Sequence, residues 1–326
     1  MKVIYLANKV SGVTLDAYEH LFKENGIEYI KSYTVDDDEI VEMSKDTDVF
    51  ITILKAFPEE LINRLSSKLK GIVRPAIGYE IINVEAATKR GIFVSNIPDY
   101  STEEVAVQAM SLMLDVIRKN TLYNNAIKRG EWVKQSLILG PTPRRLSVIT
   151  LGILGFGNIA RNVAKYAQGF GINVVAYDPY IPEDVFIERG VKKVTLNDLY
   201  SVADIITIHI PLLEDTYHMV NKDSIDKMKD GVILINTARG PLVCEEDLID
   251  ALESGKISAA GLDVFEVEPL NDANNKLLKM ENVVVTPHIG YYSKEAFAEL
   301  EYKSVLTAIN LCNGEVPYNV INKNVL

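Results

Sequence analysis

Short β-branched runs separated by amphipathic stretches recur twice along the chain, and no other feature narrows its architecture as far. The first series is Val3 to Leu6, Ile27 to Ile30, Val49 to Leu54, Ile72 to Val73 and Ile92 to Val94, with helical patterns such as Thr14 to Lys23 and Pro58 to Leu65 between them. Pro58 suits a first helical position. The second series is Val148 to Leu154, Asn173 to Tyr177, Asp204 to Ile210, Val232 to Asn236, Ala259 to Val264 and Val283 to Thr286. A helix between two strands returns the chain to the same sheet edge, so such strands run parallel. The rhythm predicts an α/β protein with two doubly wound parallel sheets, the second with six strands as in a dinucleotide-binding domain.

Between the two series the pattern changes at Asn96-Ile-Pro98. Ser101-Thr-Glu-Glu104 offers a capping box for a helix reaching about Arg118. Val105, Ala106, Val107, Ala109, Met110, Leu112, Met113, Leu114, Val116 and Ile117 leave that helix no wholly polar face, so an inter-domain or subunit interface is expected to cover it. Gly130 to Arg145 holds the only tryptophan, Trp132, and is broken by Gly140-Pro-Thr-Pro143, which reads as an extended connection. Ser293 to Asn313 is a second long helical pattern.

Charge and cysteine content exclude several partners. Against 34 basic side chains stand 45 acidic ones, a net charge of −11 that repels nucleic acid and anionic lipid. Cys244 and Cys312 lie far apart without Cys-x-x-Cys spacing, which argues against zinc or a disulfide framework; no metal is expected. No apolar run approaches the ~18 residues of a membrane span, and the start of the chain lacks a signal h-region, so a cytoplasmic protein is expected.

The sharpest local signal is Gly152-Ile-Leu-Gly155-Phe-Gly157-Asn-Ile-Ala160, which leaves a strand pattern and opens a helical one. The next strand ends in Asp178, 23 residues beyond Gly155, close to the ~20 expected of a dinucleotide fingerprint. Gly155 permits the tight turn, Gly157 admits a pyrophosphate to the helix N–H groups, and Ala160 allows close helix packing. Asp178 suits the ribose hydroxyls of NAD, and the following Pro179-Tyr-Ile-Pro182 has no base for a 2′-phosphate.

Three polar residues end strand patterns in the second series, where open α/β sheets place their ligands. Arg239 follows Val232 to Asn236 and offers a guanidinium fork to a planar carboxylate. Glu268 lies in Asp263-Val-Phe-Glu-Val-Glu-Pro269, and His288 ends Thr286-Pro-His-Ile-Gly290. His20 and His218 occupy polar helical or loop contexts and His209 a strand pattern, which makes them less telling.

Together these blocks resemble the D-isomer-specific 2-hydroxyacid dehydrogenase family over essentially the whole chain. The resemblance rests on the fingerprint with Met228-Lys-Asp-Gly231, Asn236-Thr-Ala-Arg-Gly-Pro-Leu-Val243, Gly261-Leu-Asp-Val-Phe265, Glu268-Pro-Leu270 and Thr286-Pro-His-Ile289. Val73-Arg-Pro-Ala-Ile-Gly-Tyr-Glu80 is similar to the family's substrate-carboxylate loop, with Ala76 for the usual glycine and Glu80 for aspartate. Pro141 to Arg145, Pro287 to Ser293 and Gly314-Glu-Val-Pro317 resemble the branch that holds the C-terminal-binding-protein corepressors and related bacterial dehydrogenases; there Tyr291 stands where tryptophan is common.

The resemblance implies a flavodoxin-like substrate domain, 1–98 plus 291–326, a Rossmann coenzyme domain, 99–290, and an active site in the cleft between them. It implies NAD as cofactor, held by Gly155, Gly157, Asn158, Ile159, Asp178, His209, Pro211, Thr216, Thr237, Ala238, Asp263 and Gly290. For a 2-keto acid it implies Arg239 as carboxylate and carbonyl ligand, His288 as acid-base and Glu268 as the group that orients it. Arg74, Ile77, Gly78 and Tyr291 are implied on the substrate side, and the protein is expected to be a homodimer joined through coenzyme domains. Reduction places negative charge on the carbonyl oxygen, so a proton donor and a fixed cation facing it suit the chemistry. The alternatives are a 3-phosphoglycerate dehydrogenase without a regulatory domain and an NADH-sensing, corepressor-like binding protein.

Overall fold

The computed structural model describes residues 1–9, 11–132 and 142–325. They divide into two compact units, Met1–Ser101 with Tyr292–Leu326, and Thr102–Tyr291. Residues 99–101 therefore stand with the first unit and Tyr291 with the second.

In the first unit β1 (Lys2–Leu6), β2 (Glu28–Ser32), β3 (Val49–Thr52), β4 (Gly71–Arg74) and β5 (Phe93–Asn96) form one parallel sheet in the order β2-β1-β3-β4-β5. That is the flavodoxin-like order. The long helix Lys294–Cys312 packs on β3 and β4, and the Ser293 side chain caps it by accepting from the Ala296 N–H at 2.9 Å.

In the second unit β6 (Thr150–Leu154), β7 (Asn173–Tyr177), β8 (Lys192–Lys193), β9 (Ile205–Ile208), β10 (Val232–Asn236), β11 (Ile257–Leu262) and β12 (Val283–Val285) run parallel in the order β12-β11-β10-β9-β6-β7-β8. The order reverses between β6 and β9, which makes the crevice at their C-terminal ends the topological switch point. Every residue of β9 is buried, as is every residue of β3 in the first unit. Parallel strands covered on both faces need near-continuous apolar runs rather than alternation, and the sequence supplies them with one threonine in each strand.

The seventh strand, β8, was not expected, because two lysines carry no apolar signal; it is a short, charged sheet edge. The helix Thr102–Arg118 begins where expected, but not by a capping box: Ser101 is fully buried and its hydroxyl finds no partner among the described residues. Nor does that helix need an interface to cover it. Its buried side chains pack on the helix Asn158–Gly169 and on β10, β11 and β12 within the same unit, leaving Val107 exposed. Pro58 precedes the helix Glu59–Arg64 as its N-cap instead of occupying its first turn. Trp132 is 80% exposed; residues 133–141 of the expected extended connection, including Pro141, lie outside the described residues. No described helix is long and apolar enough to cross a membrane.

Candidate active site

Arg239, Asp263 and His288 follow three neighbouring parallel strands, β10, β11 and β12, and therefore emerge at one sheet edge. Each is held by local hydrogen bonds. After β10, Asn236 is buried; its amide donates to the Arg239 carbonyl at 2.9 Å and its oxygen accepts from the Ala238 N–H at 3.0 Å, which folds the turn that presents Arg239. After β11, Asp263 is 1% exposed and grips the turn after β12: Oδ1 accepts from the Thr286 hydroxyl at 2.5 Å and the Ile289 N–H at 3.0 Å, Oδ2 from the Gly290 N–H at 2.8 Å. The His288 N–H donates to the Asp263 carbonyl at 2.7 Å, and His288 itself has a left-handed backbone, φ 52°. A side chain at positive φ is strained, and the Asp263 clasp is what holds it there.

Glu268 completes the group. Its Oε2 lies 2.6 Å from His288 Nδ1, and its Oε1 accepts from the Phe265 N–H at 2.9 Å. A carboxylate can only accept, so Nδ1 carries the hydrogen and Nε2 is left as the ring position that gains or loses a proton. Burial pushes the Glu268 carboxyl upward, but the His288 hydrogen bond and charge, the Phe265 N–H and the Arg239 charge together hold it below its ordinary value. The Glu268 and His288 side chains are 33% and 41% exposed, so a small molecule can reach the pair.

At the switch point Gly155 has φ 88°, and a Cβ there would stand 2.5 Å from the His209 carbonyl oxygen; only glycine fits between β6 and β9. The space beside Gly157 is open, at the start of the helix Asn158–Gly169, whose first two residues are Asn158 and Ile159. Asp178, just past β7, accepts from the Phe156 N–H at 2.8 Å through Oδ2 and from the Tyr180 and Ile181 N–H groups at 2.9 and 3.2 Å through Oδ1. It thus shapes the glycine turn as well as its own. A cation is nearer than the sequence indicated, because the Lys193 ammonium bonds the Ile181 carbonyl at 2.6 Å. His209 bonds Thr207 at 2.9 Å, and desolvation pushes its imidazole down to about 3, so it is neutral. The Thr216 hydroxyl donates to the Pro211 carbonyl and accepts from the Leu213 N–H, closing that loop on itself. Thr237 is buried with its hydroxyl unpartnered among the described residues.

In the first unit, Arg74 ends β4, and the Ala76 N–H donates to its carbonyl at 2.8 Å. Asn96, at the end of β5, donates to the Ile77 carbonyl at 2.7 Å and steadies the loop through Gly78. Tyr291 follows the Asp263-held turn in the second unit and is half-buried.

Sequence reasoning missed several supporting residues. Gln108, from the helix Thr102–Arg118, donates to the Thr286 hydroxyl at 2.9 Å and so backs the Asp263 clasp. His218 forms a second imidazole–carboxylate pair, Nε2 to Glu266 Oε1 at 2.7 Å. Both partners lie in irregular segments far apart in sequence; the one available hint was two acids at alternate positions, Glu266 and Glu268, before a proline.

Residues 110–290 match the family model described as D-isomer specific 2-hydroxyacid dehydrogenase, NAD binding domain. A hydroxypyruvate reductase of Thermotoga maritima is 42% identical over 268 residues, 82% of this chain and 85% of that one. A D-3-phosphoglycerate dehydrogenase of Methanocaldococcus jannaschii is 40% identical over 286 residues, 87% of this chain but 53% of its own length. Among solved structures, the D-lactate dehydrogenase of Aquifex aeolicus complexed with NAD and lactic acid superposes with a TM-score of 0.83 at 29% identity, over 98% of this chain and 99% of that one. With the two parallel-sheet units and the glycine turn at the switch point, these likenesses establish that the chain belongs to the D-isomer specific 2-hydroxyacid dehydrogenase family and carries its NAD-binding domain.

Proposed function

We propose that the protein reduces a small 2-keto acid to the D-2-hydroxy acid, reversibly, with His288 as acid-base, Glu268 as its orienting partner and Arg239 as the cation for the substrate's carboxylate and carbonyl oxygens. The observation that carries this reading is the 2.6 Å Glu268–His288 bond at the strand ends that also present Arg239. NAD fits the residues at the switch point: open space at Gly157, a buried Thr237 hydroxyl without a partner among the described residues, and the acid Asp178 past β7. Bound there as NADH, it supplies the hydride.

As negative charge grows on the carbonyl oxygen, Arg239 offsets it and His288 donates a proton from Nε2. Glu268, bound at Nδ1, holds the ring in that tautomer and compensates imidazolium. Substrate-side roles for Arg74, Ile77 and Gly78 rest on the family likeness alone. Tyr291 is assigned to the substrate's non-reacting end. Asp263 has a clearer part through its hold on the His288 turn than through the nicotinamide, since it is 1% exposed and both of its oxygens face that turn. A homodimer formed through the second units is supported by the exposed Trp132 and Ile127.

The test is a panel of 2-keto acids from glyoxylate through hydroxypyruvate to phenylpyruvate, with 3-phosphohydroxypyruvate included, followed by NADH absorbance. Turnover of none overturns the proposal. A second reading, reduction of 3-phosphohydroxypyruvate, is favoured by the likeness to the M. jannaschii D-3-phosphoglycerate dehydrogenase; preference for that member of the panel would establish it.

Two predictions arise here. Asp178→Ala is expected to weaken NADH binding about tenfold, equivalent to ~1.4 kcal/mol, because it removes acceptors from the Phe156, Tyr180 and Ile181 N–H groups together with any ribose contact. Fluorescence titration reads the change, and an unaltered dissociation constant rejects it. Glu268→Gln is expected to move the basic limb of the reduction pH profile to lower pH. Glu268 is held below its ordinary value and so remains a carboxylate through the neutral range; a neutral amide in its place no longer favours imidazolium, and the proton donor is lost earlier as pH rises. A limb that stays where it was excludes Glu268 as the partner.

A further inference from the structure

The second imidazole–carboxylate pair joins the segment that carries Arg239 to the segment that carries Glu268. We infer that His218 and Glu266 are positioning residues for the reaction, locking the Arg239 turn to the Glu268 loop; this rests on the assignment of Arg239, Glu268 and His288 proposed above.

His218 touches both segments. Its backbone N–H donates to the Pro241 carbonyl at 2.9 Å, two residues beyond Arg239, and its Nε2–H donates to Glu266 Oε1 at 2.7 Å, two residues before Glu268. The other Glu266 oxygen accepts from the Glu245 N–H at 3.0 Å, at the start of the helix Glu245–Ser254. Thus one carboxylate fixes the loop to an imidazole on one side and to a helix on the other. Around His218 the chain is itself braced: Asn221 donates to the His218 carbonyl at 3.0 Å, the Val220 N–H donates to Leu242, and the Tyr217 ring stacks on the imidazole with centroids 4.0 Å apart. The segments it joins are in backbone contact, since a Cβ on Gly240 would fall 1.7 Å from the Phe265 carbonyl oxygen. The β10–β11 ladder aligns the two segments only as far as Asn236 and Asp263; beyond that point His218 bonds both.

His218 has φ 50°, nearly the 52° of His288. Both imidazoles that bond this acidic loop are held in the left-handed region, where a non-glycine residue persists only because its surroundings determine it. His218 contributes to the register without being placed on a reacting atom. A shift of about 1 Å in a positioning group is enough to cost on the order of 100-fold in rate, so a register lock acts on turnover more than on cofactor binding.

The experiment compares wild type with His218→Ala, His218→Gln, Glu266→Gln and the His218→Ala/Glu266→Gln double variant, with Glu268→Gln alongside. Measured are kcat for the best 2-keto acid, the NADH dissociation constant, the thermal midpoint and the primary isotope effect with NADH deuterated at the transferred position. His218→Ala and Glu266→Gln are expected to lower kcat about tenfold, to leave the NADH dissociation constant within about twofold and to raise the isotope effect as the chemical step becomes limiting. The double variant should lose no more than the worse single one, because the two act as a unit. His218→Gln, which keeps a side-chain donor, should recover at least a threefold part of the loss. The inference is overturned if kcat stays within twofold of wild type in variants with a wild-type thermal midpoint, or if the single losses multiply in the double variant. It is also overturned if kcat falls only in step with thermal stability and the isotope effect does not move. Should Glu268→Gln also leave kcat unchanged, the site assignment itself falls; should Glu268→Gln act while the His218 and Glu266 variants do not, only the positioning role is lost.

Discussion

A His288→Ala enzyme is expected to reduce its 2-keto acid at least ~100-fold more slowly than wild type while binding NADH with nearly unchanged affinity, the loss typical of removing a general acid-base group. The structure says why folding should survive. The left-handed conformation at residue 288 is maintained by backbone and Asp263 contacts: the His288 N–H on the Asp263 carbonyl, and the Ile289 and Gly290 N–H groups on the Asp263 carboxylate. None of these involves the imidazole. Alanine at φ 52° carries a strain similar to that histidine already bears, so the turn keeps its shape. What disappears is the ring, and with it the partner of Glu268 Oε2; Oε1 stays on the Phe265 N–H. Single-turnover kinetics with saturating NADH, beside a fluorescence titration of the cofactor, separates the two effects. A loss smaller than tenfold, or a parallel loss of NADH affinity, rules out His288 as the proton donor.

The sheets were legible because parallel strands buried on both faces need near-continuous apolar runs, which Val49 to Thr52 and Ile205 to Ile208 supply with a single threonine each. β8 was not, because its two residues are lysines and its existence depends only on pairing with Val175 and Ala176. The helix after Ser101 shows a different limit: its apolar residues were plain, but what covers them is decided by tertiary packing, here the helix Asn158–Gly169 and β10 to β12. At the site, strand ends pointed to Arg239, Glu268 and His288, since the ligand edge of an open α/β sheet is fixed by topology. Asp263 was placed on the ligand side, whereas its carboxylate faces the turn after β12; nothing in Gly261-Leu-Asp-Val-Phe265 indicates which way a buried acid turns. His218 and Lys193 were passed over for a related reason. Each acts through a partner remote in sequence, Glu266 and the Ile181 carbonyl, and such pairings exist only once the loops are folded.

The largest structural effect is expected from Gly240→Ala, a change of one methyl group next to Arg239. An added Cβ would lie 1.7 Å from the Phe265 carbonyl oxygen, 1.9 Å from its carbon and 2.5 Å from the Glu266 nitrogen. All three are backbone atoms, so no side-chain rotation relieves the overlap and one of the two segments must move. Overpacking of this kind costs roughly 1 to 3 kcal/mol and occasionally more, and contact with backbone alone argues for the upper end. In a unit of this size ~3 kcal/mol corresponds to a fall of roughly 6 to 12 °C in Tm. Activity should fall further than stability. The segments that separate are those presenting Arg239 and Glu268, and a displacement of about 1 Å is enough for ~100-fold in kcat/KM. Gly169→Ala is the matched control: it ends the helix Asn158–Gly169, nothing lies within 4 Å of an added Cβ, and the change should be neutral or stabilise by about 0.4 to 1 kcal/mol through the unfolded chain. Calorimetry and steady-state kinetics on both variants decide the matter. A Gly240→Ala protein with wild-type Tm and turnover would mean that the Arg239 turn and the Glu268 loop are not packed backbone to backbone, and the geometry assigned to the site would have to be redrawn.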